Sequence, residues 1–250
     1  MAKQRVNVLS IAGFDPSGGA GILADIKTFE QHKCLGMAAQ TAFTIQNEHQ
    51  VEEVFWHAKS KILAQLDILT KVYVFKAVKI GLCRDLEMLN LILNYFQEHA
   101  PKTKLIWDPI LSSSSGFDVF NKEDIKHINY DLIDWITPNW NEAKALFSFD
   151  DNNLIDGILN LKLKIKVLLK GGHRPDALAK DVLISKGKCY PFKAKTIAPY
   201  GKHGSGCIFS SSLASLVAQN YPDIKAVLKA KSYTSRCLHS NTSGLAYHKT

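Results

Sequence analysis

Short apolar runs alternate with amphipathic stretches along the whole chain, and this alternation constrains the fold more than any other feature. Val6–Ala12 is a brief apolar run closed by glycine, as expected of a strand buried on both faces. Gly21–His32 follows, with Ile22, Leu23, Ile26 and Phe29 recurring on one side of a helix. The same reading predicts strands over Ala38–Ile45, Phe75–Ile80, Lys104–Trp107, Leu132–Ile136 and Lys166–Leu169. It predicts helices over Val54–Thr70, Asp85–His99 and Asn141–Phe147. Asp181–Ser185 and Cys189–Phe192 read as a hairpin about Lys186-Gly187-Lys188, and Gly206–Gln219 and Asp223–Leu245 as two closing helices. Strands joined by helices of this length require right-handed crossovers. The expected fold class is therefore α/β, a three-layer α/β/α sandwich with a mostly parallel central sheet. Without a Pro/Ser-rich linker, a repeat or a low-complexity tract, residues 1–250 read as a single domain.

The composition, 46% hydrophobic and 22% charged, excludes a disordered or fibrous chain. Five cysteines, Cys34, Cys83, Cys189, Cys207 and Cys237, lie far apart with no C-x-x-C pair. That spacing argues against a zinc ribbon, and the odd count against a closed disulfide framework. The run from Val6 to Phe14 is broken by Asn7 and Ser10 and makes a poor signal peptide. No stretch reaches the roughly 18–20 apolar residues of a membrane span. A reducing, cytoplasmic setting is expected. The net charge of +8 is uneven: residues 1–150 carry 15 Lys/Arg against 18 Asp/Glu, and residues 151–250 carry 16 against 5. The basic segment reads either as solvated surface or as attraction for an anionic ligand.

Polar residues and glycines gather where the expected strands end: Gly13-Phe14-Asp15-Pro16-Ser17-Gly18-Gly19-Ala20-Gly21, Gln46-Asn47, Gly81, Asp108-Pro109, Thr137-Pro138-Asn139 and Lys170-Gly171-Gly172-His173. Each is ordinary turn chemistry alone. Together they mark one edge, and open α/β sheets bind ligands outside the carboxyl ends of their strands. Gly19-Ala20-Gly21-Ile22-Leu23-Ala24 fits a dinucleotide fingerprint. The acidic residue that should hold a ribose hydroxyl is replaced by Gln46-Asn47, which weighs against an NAD-binding protein. His203-Gly204-Ser205-Gly206-Cys207 opens directly into a helix. Convergent N–H groups and the helix dipole make an anion hole there. A thiol in that first turn, Cys207, is expected to have a lowered pKa. The chain has no Walker A loop. The lysines of the basic segment are scattered without an aromatic stripe, which disfavours a nucleic-acid partner.

The segment Ile11–Phe29, reading Ile-Ala-Gly-Phe-Asp-Pro-Ser-Gly-Gly-Ala-Gly-Ile-Leu-Ala-Asp-Ile-Lys-Thr-Phe, resembles the amino-terminal signature of the hydroxymethylpyrimidine and phosphomethylpyrimidine kinases. These are thiamine-biosynthetic enzymes of the ribokinase superfamily. Further matches follow in order: Gln46-Asn47, Val78-Lys79-Ile80-Gly81, Asp108-Pro109, Thr137-Pro138-Asn139 with Glu142-Ala143, Lys170-Gly171-Gly172-His173 and His203–Cys207. They extend over about residues 6 to 235.

The resemblance implies a ribokinase-like fold without a separate lid domain. It implies ATP-dependent phosphorylation of 4-amino-5-hydroxymethyl-2-methylpyrimidine and then of its monophosphate. It places Gly13, Ala20 and Gln46 in the pyrimidine pocket, with Asp25 close by and Leu82 and Ile110 as walls. Asp108 and Glu142 would hold Mg2+, Asn139, Lys170 and His203 would serve ATP, and Gly204, Ser205, Gly206 and Cys207 would form the catalytic anion hole. The family commonly forms homodimers. Two oxygen-donor carboxylates suit magnesium, which keeps several waters. Phosphoryl transfer asks a protein mainly for positioning and charge neutralisation. The chain departs from the family pattern at Leu82-Cys83, usually a methionine, at Ser205, at Trp140-Asn141 and in the serine-rich 112–116 stretch. Pyridoxal kinase activity of the same branch is the alternative.

Overall fold

The apolar runs pair into a single nine-stranded sheet in the computed structural model, which describes residues 4–111, 125, 127–173, 179–194, 196 and 201–248. In chain order the strands are β1 (Asn7–Phe14), β2 (Leu35–Gln46), β3 (Val51–Trp56), β4 (Ala77–Ile80), β5 (Lys104–Trp107), β6 (Trp135–Ile136), β7 (Lys166–Leu169), β8 (Asp181–Ser185) and β9 (Lys188–Phe192). The described α-helices are α1 (Gly21–Gln31), α2 (Lys59–Thr70), α3 (Leu86–His99), α4 (Trp140–Phe147), α5 (Leu154–Asn160), α6 (Ser205–Ala218) and α7 (Asp223–Leu238). The spatial order is β3-β2-β1-β4-β5-β6-β7-β8-β9. The six strands from β2 to β7 run parallel, and β3, β8 and β9 are antiparallel additions at the edges. After β3 the chain crosses β1 to enter β4, so the order reverses between β1 and β4. Such a switch point opens a crevice at the strand ends.

Alternation along each strand divides the core. Leu9 and Ile11 of β1, with Val78 and Ile80 of β4, pack against Ile62 and Leu66 of α2 and Leu89, Ile92 and Leu93 of α3. Val8, Ala77, Ile106 and Leu168 turn to the other face, against Phe209 and Leu213 of α6 and Ala226 and Val227 of α7. Phe29 of α1 joins that second layer. The result is the expected α/β/α sandwich with a mostly parallel sheet.

Several boundaries differ from expectation. Val54–Thr70 is not one helix. Val51–Trp56 forms β3, and α2 starts at Lys59. The Asn47 side chain accepts from the N–H groups of His49 and Gln50, closing an Asx turn that folds β3 back on β2. The helical spacing of Val54 and Ala58 was therefore accidental. The closing helix ends at Leu238 rather than Leu245, because the Asn241 carboxamide oxygen accepts from Ser243 and turns the chain. Asn139 caps α4, which starts at Trp140. The helix α5 carried no sequence expectation. The serine-rich 112–116 stretch lies outside the described residues.

Candidate active site

Two glycine-rich loops meet at the switch point. In the loop after β1, Asp15 folds the chain on itself: its carboxylate accepts from Ser17 N and Oγ (2.9 and 2.8 Å) and from Ala20 N (2.8 Å). It also bonds His203 Nε2 at 2.9 Å, which ties this loop to the one preceding α6. Burial opposes the charge, yet hydrogen bonds from His203, Gln46, Ser17 and Ala20 hold the carboxyl well below the usual range. Gly21 and Gly204 have φ of +57° and +72°, and a Cβ there would lie 2.2 Å from Gly13 O and 1.9 Å from Gly19 O. Only glycine permits both the conformation and the approach.

Gly204 is the N-cap of α6 and supplies no side-chain cap. The first-turn N–H groups of a helix lack intrahelical partners. Those of α6 border a cavity of about 700 Å³ lined by Ala20, Asp108, Glu142, Lys170 and His203–Cys207. This arrangement suits an anion.

Asp108, Glu142 and Lys170 converge at the same point from the ends of β5, α4 and β7. Lys170 Nζ lies 2.7 Å from Asp108 Oδ1 and 4.0 Å from Glu142 Oε2. A Cβ on Gly206 would be 3.3 Å from that ammonium. Thr137 Oγ1 and Ser210 Oγ donate to the two oxygens of Asp108, fixing its orientation. Glu142 and Asn139 form a reciprocal capping box. Burial pushes the Glu142 carboxyl up to about 7, against the pull of Lys170 and with the push of Asp108. Burial would lower Lys170, but Asp108 and Glu142 raise it above the ordinary lysine range. Asp181 of β8 accepts from Gly171 N at 2.8 Å and from Lys231 of α7 at 2.5 Å, which pins the turn that follows Lys170.

The other expected site residues are placed as follows. Ile110 lines the cavity with Asp108. Gly13 and Leu82 are in contact, a Cβ on Gly13 falling 2.9 Å from Leu82 Cδ2. Gln46 hydrogen-bonds Asp15. Gly13, Gln46 and Leu82 are not among the cavity's lining residues, whereas Ala20 is. Asn139 also lines the cavity, although its carboxamide oxygen is committed to the Glu142 N–H.

The Asp25 side chain, expected close to the pyrimidine pocket, is wholly buried and paired with Lys79. One expectation is corrected. The Cys207 thiol is not lowered. It is buried, and burial raises its pKa despite Lys79 and a hydrogen bond from the Gly21 backbone, with Asp25 and Asp108 adding to the rise. Desolvation outweighs the helix start.

Sequence reasoning missed Asp15 as a separate residue, Asp181, and the far wall of the cavity built by Ser232, Ser235 and Arg236 of α7 with His239 just after it. The Asp15-Pro16-Ser17-Gly18 string carries an Asx-turn signal that could have flagged the first. Asp181 and the α7 wall act across gaps that no local pattern reveals.

The sequence profile of the phosphomethylpyrimidine kinase family matches residues 15–249. A hydroxymethylpyrimidine/phosphomethylpyrimidine kinase from Aquifex aeolicus is 34% identical over 243 residues, covering 93% of this chain and 94% of that protein. The crystal structure of phosphomethylpyrimidine kinase from Clostridium difficile superposes with a TM-score of 0.77 at 32% identity, over 93% of this chain and 99% of that one. A pyridoxal kinase from Bacillus subtilis, solved as an ADP complex, gives a TM-score of 0.85 at 25% identity, over 98% of both chains. With its strand-end carboxylates, its lysine and its uncapped helix start in place, the chain belongs to the phosphomethylpyrimidine kinase family.

Proposed function

We propose that the chain, as one kinase domain over residues 1–250, transfers the γ-phosphoryl group of ATP to the hydroxymethyl oxygen of 4-amino-5-hydroxymethyl-2-methylpyrimidine. It then phosphorylates the monophosphate to the diphosphate, in thiamine biosynthesis. The observation that carries this reading is the meeting of Asp108, Glu142 and Lys170 at the uncapped start of α6. Phosphoryl transfer needs an anion cradle, a charge clamp and little else.

In this reading the first-turn amides of α6 hold the transferring phosphoryl oxygens and Lys170 neutralises part of their charge. The cavity of about 700 Å³ accommodates the nucleotide against α7. Cys207, protonated at neutral pH, orients the acceptor hydroxyl rather than removing its proton. A loose transition state needs little base assistance. Asp108 and Glu142 fit Mg2+: both offer carboxylate oxygens, and Glu142, raised to about 7 by burial, would be ionised by an adjacent cation. Among the described residues no group of three or more His, Cys, Asp or Glu side chains could hold a metal alone. When bound, magnesium would neutralise phosphate charge. Asp15 and His203 keep the two loops together, so the acceptor side and the nucleotide side stay in register.

Pyridoxal kinase activity remains the second reading, favoured by the likeness to the Bacillus subtilis enzyme. Measuring ADP release with hydroxymethylpyrimidine, its monophosphate and pyridoxal separates the two. The pyrimidines should give the higher kcat/KM, and release with pyridoxal alone would replace the first reading with the second.

Small-molecule partners are part of this proposal, with no nucleic acid. So is a homodimer formed over the β2–β3 edge, where Phe43, Ile45 and Phe55 are 41–45% exposed. Light scattering should give twice the chain mass, and a lower value with Phe43→Lys. Among the described residues no helix is long and apolar enough to cross a membrane. The odd number of cysteines, five and far apart in sequence, supports the proposed cytoplasmic setting.

A further inference from the structure

Behind the anion hole lies a charged pair for which the proposed chemistry has no direct use. Lys79 of β4 and Asp25 of α1 have no exposed side-chain surface. Asp25 accepts from Lys79 Nζ at 2.9 and 3.1 Å, from Ser10 Oγ of β1 at 2.6 Å and from Ser211 Oγ of α6 at 2.5 Å. Three of the four elements joined there, β1, α1 and α6, flank the two glycine-rich loops of the site. Ser211 lies four residues beyond Cys207, so the link reaches the first turns of α6. Lys79 Nζ also packs against the turn after β4: a Cβ on Gly81 would fall 2.8 Å from it and 3.1 Å from Ala12 Cβ.

Stability does not account for charges at this position, because apolar residues of similar volume commonly replace a buried ion pair without loss. The ammonium stays charged all the same. Burial would lower its pKa, but Asp25, Cys207 and Asp108 together raise it above the ordinary lysine range. Its attraction therefore extends beyond Asp25 to Asp108, which borders the anion hole.

We propose that Lys79 is a positioning residue of the anion hole, a permanent buried cation oriented by Asp25 that strengthens phosphate binding at the start of α6 without touching the ligand. The inference rests on the phosphoryl-transfer reading only in taking the anion to be nucleotide phosphate. Its test is calorimetric titration with ADP and magnesium, together with Tm, for Lys79→Met/Asp25→Asn and for Asp25→Asn alone. The double variant leaves no unpaired charge. It should melt close to the parent and bind ADP at least about fivefold more weakly. Asp25→Asn removes the carboxylate that orients the ammonium and does most to keep it charged. It should melt lower than the parent and also bind ADP more weakly. A purely structural pair would leave ADP affinity unchanged in a double variant that melts like the parent. ADP affinity within about twofold of the parent in either folded variant overturns the proposal, so each decides if the other fails to fold. No acceptor is present, so a chain that binds ADP as expected but phosphorylates no pyrimidine would sink the substrate reading and leave this one intact.

Discussion

Lys170 keeps the chemistry its sequence setting promises, whereas Cys207 does not. Lys170 ends a strand before two glycines, and its ammonium sits where that placement suggests, 2.7 Å from Asp108. Lys170→Ala should raise the ATP KM by at least about tenfold, while neutralising Lys162, Lys164 and Lys225 together should leave it within about twofold. Equal effects from both sets would contradict the division between site and surface. Cys207 also stands where expected, but its pKa is raised rather than lowered because it is buried, with Asp25 and Asp108 opposing the thiolate. Cys207→Ala should lower kcat at least about tenfold through lost orientation. Unchanged turnover would remove the thiol from the reaction. Asp108, Glu142 and Lys170 were legible as polar residues at strand ends. Asp15, Lys79 and Asp181 were not assigned a role, because their partners lie far away in sequence: His203, Asp25 and Lys231. Buried ion pairs and hydrogen bonds across such gaps leave no periodic trace.

Among the elements, α6 departs from amphipathic expectation. It is enclosed almost all round, and its serines are buried with it. Ser210 bonds Asp108, Ser211 bonds Asp25 and Ser212 bonds His32. Small hydroxylated residues let the helix lie close to the sheet while satisfying buried carboxylates. The Ser210-Ser211-Ser212 run was visible in the sequence, but serine reads equally well as solvent-facing. The loop contact at the start of α6 is stringent. Gly204→Ala would force a side chain into Gly19 O at a positive φ, so ADP affinity should fall at least about tenfold. Calorimetry showing parental affinity would contradict the required approach of the two loops. Beyond α7, His248 sits within bonding distance of Tyr233 and Thr28, and His32 packs at a tilt against Tyr233, ring centroids 4.7 Å apart. Burial lowers both histidines to about 4, helped by Arg236 and Lys229 at His32 and by Lys27 at His248. The unfolded chain takes up these protons near pH 6.5, the folded chain only near 4. Their contribution to stability is therefore complete above pH 6.5 and is lost as pH falls toward 4. Tm should drop across that window, and the His32→Gln/His248→Phe variant should flatten the drop. An unchanged slope would refute the assignment.

At the scale of the whole molecule, the strand order sets where chemistry can occur. The reversal between β1 and β4 opens the crevice, and the carboxyl ends of β5 and β7 extend it toward the nucleotide side. The alternating pattern was enough to foresee the layers, but not the antiparallel β3, which depends on one Asx turn at Asn47. The uneven charge acquires a limited meaning. The anion hole and Lys170 come from the basic segment, whereas Asp108, Glu142 and the first glycine loop come from the acidic one. Most of the surplus lysines lie away from the cavity and add only a general field. The most direct test of the central claim is mass-spectrometric identification of products after incubating the purified chain with ATP, magnesium and hydroxymethylpyrimidine. The pyrimidine monophosphate followed by the diphosphate is expected, with one ADP released for each phosphoryl group transferred. ADP formed with no phosphorylated pyrimidine, or no ADP formed at all, would contradict it.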